Sequence, residues 1–130
     1  MKGIYILIIS VDKDTAASIG AFPEMKFDKG LYAYVGSAQT NLEKRVARHL
    51  NRIKRRFWHI DYLLGMESVS VLKVFQKKGP RSEECKFAKK LDKRGSAIVG
   101  FGSSDCKCKS HLFKLNDYEF LREWMDELVS

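Results

Sequence analysis

The sequence predicts a mixed α+β domain, in the broad α/β class, and three observations carry the prediction. Residues 3–11 (GIYILIISV) are β-branched, aromatic or apolar at nearly every position, the pattern of a strand covered on both faces. A second such run follows Gly30, LYAYVGSA at 31–38. The period then changes: Leu42, Val46, Leu50, Ile53 and Phe57 recur at spacings of four, four, three and four, one stripe of an amphipathic helix directed at a core.

Taken in order, 3–11 reads as a central strand. Asp12 to Lys29 is polar, carries Pro23 and reads as a long loop, so the second strand returns antiparallel to the first. Thr40 with Glu43 three residues on fits a capping box that starts the helix near Asn41. Arg45, His49, Arg52 and Arg56 share its spacing on the adjacent side and form an outward column of donors. A short second helix is expected over Trp58 to Leu64, and Ser68 to Gln76 alternates as a third strand should. After the turn KKGPRSEE, Ser82 is a good cap, with Glu83 and Glu84 in the first turn where the helix dipole favours acids. The apolar face of this helix would be Cys85, Ala88 and Leu91. Residues 95–113 suggest short strands joined by a structured loop, and a helical pattern resumes at Tyr118. There is no internal repeat or low-complexity linker, so 1–130 reads as one domain.

Composition narrows the function. Apolar residues at 45% and charged residues at 31% fit an ordinary globular chain and argue against wholesale disorder. The longest apolar stretch, Ile4 to Ile9, is far too short to cross a bilayer and Met1 leads straight into a strand pattern, so a cytoplasmic location without membrane association is expected. The net charge of +8 makes a polyanionic partner the expectation. The excess is concentrated: Lys44, Arg45, Arg48, Arg52, Lys54, Arg55 and Arg56 put seven cations into thirteen residues without an acid among them.

These residue types suit one chemistry. A metal-assisted phosphodiesterase needs a carboxylate for a hard divalent cation, and one Glu, here Glu84 or Glu83, can suffice. It needs a general base for the attacking water, for which Tyr5 or Tyr34 serves if its pKa falls well below the ordinary value. It also needs a fixed guanidinium beside the charge that develops on phosphorus, and the helix column supplies one.

GIY at 3–5 and YVG at 34–36 resemble the two halves of the signature of the GIY-YIG nucleases, found in homing endonucleases and bacterial excision repair, and YVGSAQTNLEKRVARH resembles that family's strand, turn and Arg-bearing helix. The family fold is a small twisted, mainly antiparallel sheet flanked by helices, which the resemblance assigns to about residues 1–92, with 93–130 as a C-terminal extension. The resemblance implies a metal-dependent endonuclease acting on DNA, with a role in repair or recombination. Tyr5 and Tyr34 would be the motif tyrosines around the attacking water, with Tyr5 the first candidate for general base. Arg45 would stabilise the transition state, and His49 would lie near the reacting groups. Gly36 would let backbone and substrate approach closely. Glu84, with Glu83 next to it, would hold Mg²⁺ or Mn²⁺, and Lys44, Arg48, Arg52, Arg55 and Arg56 would grip phosphates. The stretches RFWHIDYLL and GFGSSDCKCKSHLF lie outside the general signature and resemble a small archaeal and bacterial GIY-YIG-like subgroup. A nuclease of this size often works with a protein partner or as a homodimer, a further expectation.

Each residue also has a plainer reading. The tyrosines fit a packed sheet by shape alone, and the basic run fits a solvated helix face. His59 and Asp61 read as a packed ring and a helix-surface acid. Cys106, Cys108 and His111 are spaced CxCxxH, tighter than the paired cysteines of structural zinc sites, and a fourth ligand would have to come from Cys85 or His59. Small buried thiols are the preferred reading there, a disulfide the next and zinc the last.

Overall fold

The computed structural model describes residues 2–19, 24–51, 59–102 and 108–128. They form β1 (Gly3–Val11), β2 (Thr15–Ala17), β3 (Met25–Phe27), β4 (Gly30–Ala38), α1 (Leu42–Leu50), α2 (His59–Leu64), β5 (Val69–Lys78), α3 (Ser82–Asp92), β6 (Ser96–Ala97), β7 (Leu112–Leu115), a 3₁₀ turn (Glu119–Glu123) and β8 (Asp126–Glu127). The fold is mixed α+β. A six-stranded antiparallel sheet runs in the order β6-β7-β4-β1-β5-β8, beside a small sheet of β2 and β3. No helix among the described residues is long and apolar enough to cross a membrane.

Strand β1 is central because it can be buried on both sides. Tyr5, Leu7, Ile9 and Val11 enter one core with Leu42 and Val46 of α1 and Ile60, Leu63 and Leu64 of α2. Ile4, Ile6 and Ile8 enter the other with Phe87, Ala88 and Leu91 of α3 and with Leu121 and Met125. The period of two along a strand makes this division. Opposite β5 the register slips, so that Ile8 faces Lys73 and Ile9 faces Val71, and the intervening Leu72 is left out of the pairing as a bulge. The C-terminal third belongs to the same sheet: β7 lies between β6 and β4, and β8 pairs with the end of β5.

Several local expectations are corrected. Within 12–29, read as a loop, the apolar residues Ala17, Ile19 and Phe27 reach the core, and β2 pairs with β3 to carry them there. The cap of α1 is Asn41, not Thr40: its side chain accepts the Lys44 amide at 2.9 Å. Helix α1 ends at Leu50, because Asn51 is extended, and Leu50 is 51% exposed where the stripe predicted a core contact. Its place is taken by His49, expected on the outer column and found 2% exposed. Ser82 opens α3 without a side-chain cap, and Phe87, not Cys85, completes the buried face. Asp61, read as a surface acid, is 1% exposed. From Tyr118 the chain takes a short 3₁₀ turn where a helix was expected.

Candidate active site

Tyr5 stands opposite Gly36 in the β1–β4 pair, so its phenol lies across the position that a side chain would fill. A Cβ at residue 36 would come within 2.5 Å of Tyr5 Cζ and 2.9 Å of Cε2. Only glycine lets the tyrosine cross the strand there. Two residues along, Tyr34 faces Leu7 on the same side. Behind both rings sits His49. Its Nε2 is 2.6 Å from the Tyr5 hydroxyl, and its ring packs edge-on against Tyr34 at 6.2 Å between centroids.

Arg45 reaches the same place from one turn earlier in α1, where Nη1 donates to the Ser37 carbonyl at 2.9 Å. From the opposite side comes Glu84 in the first turn of α3, whose Oε2 accepts from the Ser37 hydroxyl at 3.0 Å. Its Oε1 lies 3.4 Å from Nδ1 of the buried His111. Tyr5, Tyr34, Gly36, Ser37, Gln39, Thr40, Arg45, Arg81, Glu84 and Gly102 line one cleft of about 310 Å³.

Burial raises the Glu84 carboxyl, but the hydrogen bond and charge of His111, the Ser37 hydroxyl and the charge of Arg81 outweigh it and hold the group below its ordinary 4.5. It is therefore a carboxylate at neutral pH. The tyrosines shift the other way. Burial raises Tyr5 far above its ordinary 10.0, with the Arg45 guanidinium opposing, and raises Tyr34 likewise. Tyr32, next to Asp28, is raised by burial from 10.0 to about 12.

These raised values have a consequence for stability. The unfolded chain ionises its tyrosines near their ordinary 10.0 while the folded chain keeps these three protonated. Their contribution is complete below pH 10 and is lost as pH climbs toward the folded values. An alkaline titration followed by tyrosinate absorbance and circular dichroism should show at least three of the five tyrosines un-ionised past pH 10 for as long as the fold persists, then ionising together with unfolding. Ionisation of all five near pH 10 in a folded chain contradicts this.

The two stretches outside the motif meet at the cleft wall. The Gly102 amide donates to His59 Nδ1 at 3.0 Å, and burial lowers the His59 pKa below 6.5, keeping the ring neutral so that it can accept. Phe101 packs against His59, Tyr34 and Phe27, which sets Gly102 against the Tyr34 ring. Gly102 has φ +69°, a left-handed conformation that glycine adopts without strain.

Five of the expected residues, Tyr5, Tyr34, Gly36, Arg45 and Glu84, thus line one cleft, with His49 directly behind. Lys44 is exposed on α1 and does not line it. Arg48 turns to α2, where Nη1 and Nη2 each donate at 2.9 Å to one oxygen of Asp61. Glu83 is not among the residues that line the cleft and pairs with Lys77 at 3.6 Å. Arg52, Arg55, Arg56 and Cys106 lie outside the described residues. Sequence reasoning missed Ser37, which both Arg45 and Glu84 contact, and Arg81, a second guanidinium on the cleft. The signal for Arg81 was its place one residue ahead of a helix that carries the acid.

No curated protein and no solved structure matches this chain. Residues 4–130 match one family model, and the chain belongs to the family described as "Domain of unknown function DUF123".

Proposed function

We propose that this protein is a metal-dependent endonuclease of the GIY-YIG kind that hydrolyses a phosphodiester bond in DNA, in the cytoplasm and in repair or recombination. One observation carries the reading: two tyrosines, a fixed guanidinium and a carboxylate, from four separate elements, line a single open cleft. The donor set fits a hydrated Mg²⁺ or Mn²⁺, since Glu84 is a carboxylate held by Ser37 at the wall of a polar cleft and such ions bind through few protein ligands. A divalent cation there supplies Lewis-acid polarisation of the phosphoryl oxygens.

The chain's own residues do the rest. A tyrosine with a raised pKa is a poor base alone, but Tyr5 can pass its proton on. The attacking water gives a proton to the Tyr5 oxygen as Tyr5 gives its own to His49 Nε2. The water oxygen bonds to phosphorus, the P–O bond to the leaving nucleotide breaks, that oxygen takes a proton from solvent, and His49 returns its proton through Tyr5 to solvent, which restores both groups. Arg45, aimed by its bond to the Ser37 carbonyl, donates to the phosphoryl oxygens as their charge grows, and Arg81 adds a second positive charge on the cleft. Lys44, with Arg52, Arg55 and Arg56 of the same run, would hold flanking phosphates, while Arg48 is engaged by Asp61.

Plain, nicked and branched duplexes, with RNA alongside, incubated with Mg²⁺ or Mn²⁺ test this. Cleavage should require the metal, fall about 10²–10³-fold in Arg45→Ala, and fall further behind in Glu84→Gln. No cleavage of any substrate, or cleavage indifferent to both substitutions, rejects it. Salt-sensitive binding without a product would instead favour a nucleic-acid-binding module that keeps the cleft but does not turn over, a reading that the charge of +8 also suits.

A further inference from the structure

Cys85 on α3 and Cys108 and His111 ahead of β7 each offer a ligand atom, and the three atoms lie within 4.8 Å of one another. Both cysteines are thiols, partly buried, and His111 is 4% exposed. We propose that these three side chains bind Zn²⁺, at a site separate from the carboxylate that faces the cleft. The inference stands apart from the nuclease reading and holds whether or not the protein cleaves DNA.

The ligand chemistry selects the ion. Two thiolates and an imidazole are soft to borderline donors that favour zinc over magnesium or calcium. The geometry is close to what zinc requires. Tetrahedral Zn–S bonds of about 2.3 Å and Zn–N bonds of about 2.0 Å place ligand atoms about 3.5–3.8 Å apart. A spread within 4.8 Å therefore closes by about 1.3 Å at most, which side-chain rotation can supply. Among the described residues these three side chains supply the ligands.

Two more contacts fit the assignment. His111 Nδ1 lies 3.4 Å from Glu84 Oε1, so an ion taken through Nε2 leaves Nδ1–H to the carboxylate, the carboxylate–histidine–zinc arrangement that orients a ligand ring. The ligands also come from two distant segments. An ion there ties α3 to the 108–111 segment, whose backbone pairs with Phe101 and Gly100 through His111 N to Phe101 O and Gly100 N to Lys109 O, both 2.8 Å. The zinc would thus brace the loop that sets Gly102 against Tyr34, and would hold Glu84 from behind.

The test uses the full chain, purified without chelator under a phosphine reductant. Metal analysis should find zinc near one per chain. After removal by chelator, Co²⁺ should bind one to one, with ultraviolet sulfur-to-cobalt charge transfer and the strong visible bands of a tetrahedral ion, and Zn²⁺ should displace it. Cys85→Ser and Cys108→Ser should each weaken the charge transfer and reduce affinity roughly tenfold or more, and His111→Asn should shift the visible bands. As a measure that does not depend on the folding of variants, zinc should raise the thermal midpoint of the metal-free wild-type chain. Failure of the reduced wild-type chain to bind Co²⁺ or Zn²⁺, a cobalt spectrum without sulfur charge transfer, or a spectrum unaltered in folded Cys85→Ser and Cys108→Ser overturns the proposal.

Discussion

Tyr5→Phe is expected to slow phosphodiester cleavage by about 10²–10⁴-fold, the usual contribution of a positioned proton acceptor, with little change in substrate affinity. Phenylalanine keeps the ring that lies over Gly36 and fills the same core space, so packing survives. What disappears is the hydroxyl that bonds to His49 Nε2 at 2.6 Å and faces the Arg45 guanidinium, at a cost in stability of about 1–3 kcal/mol because the buried His49 ring loses that bond. His49→Asn should slow the reaction through the same route. Because proton transfer passes through both groups in turn, the double substitution should be hardly slower than Tyr5→Phe alone, the non-additivity of residues that act as a unit. The pH–rate profile gives an independent reading. The limb that reports the base belongs to the Tyr5–His49 pair as a whole, and it should vanish in either variant. A Tyr5→Phe enzyme within about threefold of wild type would move water activation to Tyr34, whose hydroxyl lies on the same cleft.

The parts of this site that could be read from the sequence are those whose neighbours are set by period. An apolar run buried on both faces had to be central, and the two-residue alternation put Tyr5 on one side with Leu7 and Ile9. What no period reveals is a register between strands or a contact between distant segments. That Gly36 stands opposite Tyr5 follows from the β1–β4 pairing, and only that pairing explains why residue 36 is glycine. The helix spacing located Arg45 and His49 on adjacent turns but could not say that the core would claim the second. His49 is drawn inward because both tyrosine rings offer it a surface and Tyr5 a hydrogen bond, while Leu50 is released to solvent where the helix ends. Asp61 misled for a similar reason. An aspartate in a short helix is normally a surface residue, and its burial depends on an arginine thirteen residues earlier. The CxCxxH spacing left the further ligand open between Cys85 and His59, and only the packing of α3 against the segment ahead of β7 brings Cys85 to Cys108 and His111.

Arg48→Ala is expected to cost about 3 kcal/mol of folding stability, read as a lowered urea midpoint with an unchanged m-value. Asp61 is fully buried and Arg48 a quarter exposed, and two parallel bonds of 2.9 Å join them. Removing one member of such a pair leaves the other charge in a poor dielectric, which costs about 3–5 kcal/mol in general. The lower end applies here because water reaches the arginine side and relaxes part of the penalty. Lysine should restore little, since a single ammonium cannot match the two-pronged geometry. The same substitution separates two roles for Arg48. If its guanidinium gripped phosphate, Arg48→Ala would spare the fold and lower the dependence of DNA affinity on salt by about one counterion. The bond to Asp61 argues otherwise: Arg48 fastens the last turn of α1 to α2, and that turn carries His49. A loss of cleavage in Arg48→Ala should therefore accompany the loss of stability and recover when the protein is stabilised at lower temperature, whereas the loss in Tyr5→Phe should not recover, because the group that moves the proton is gone.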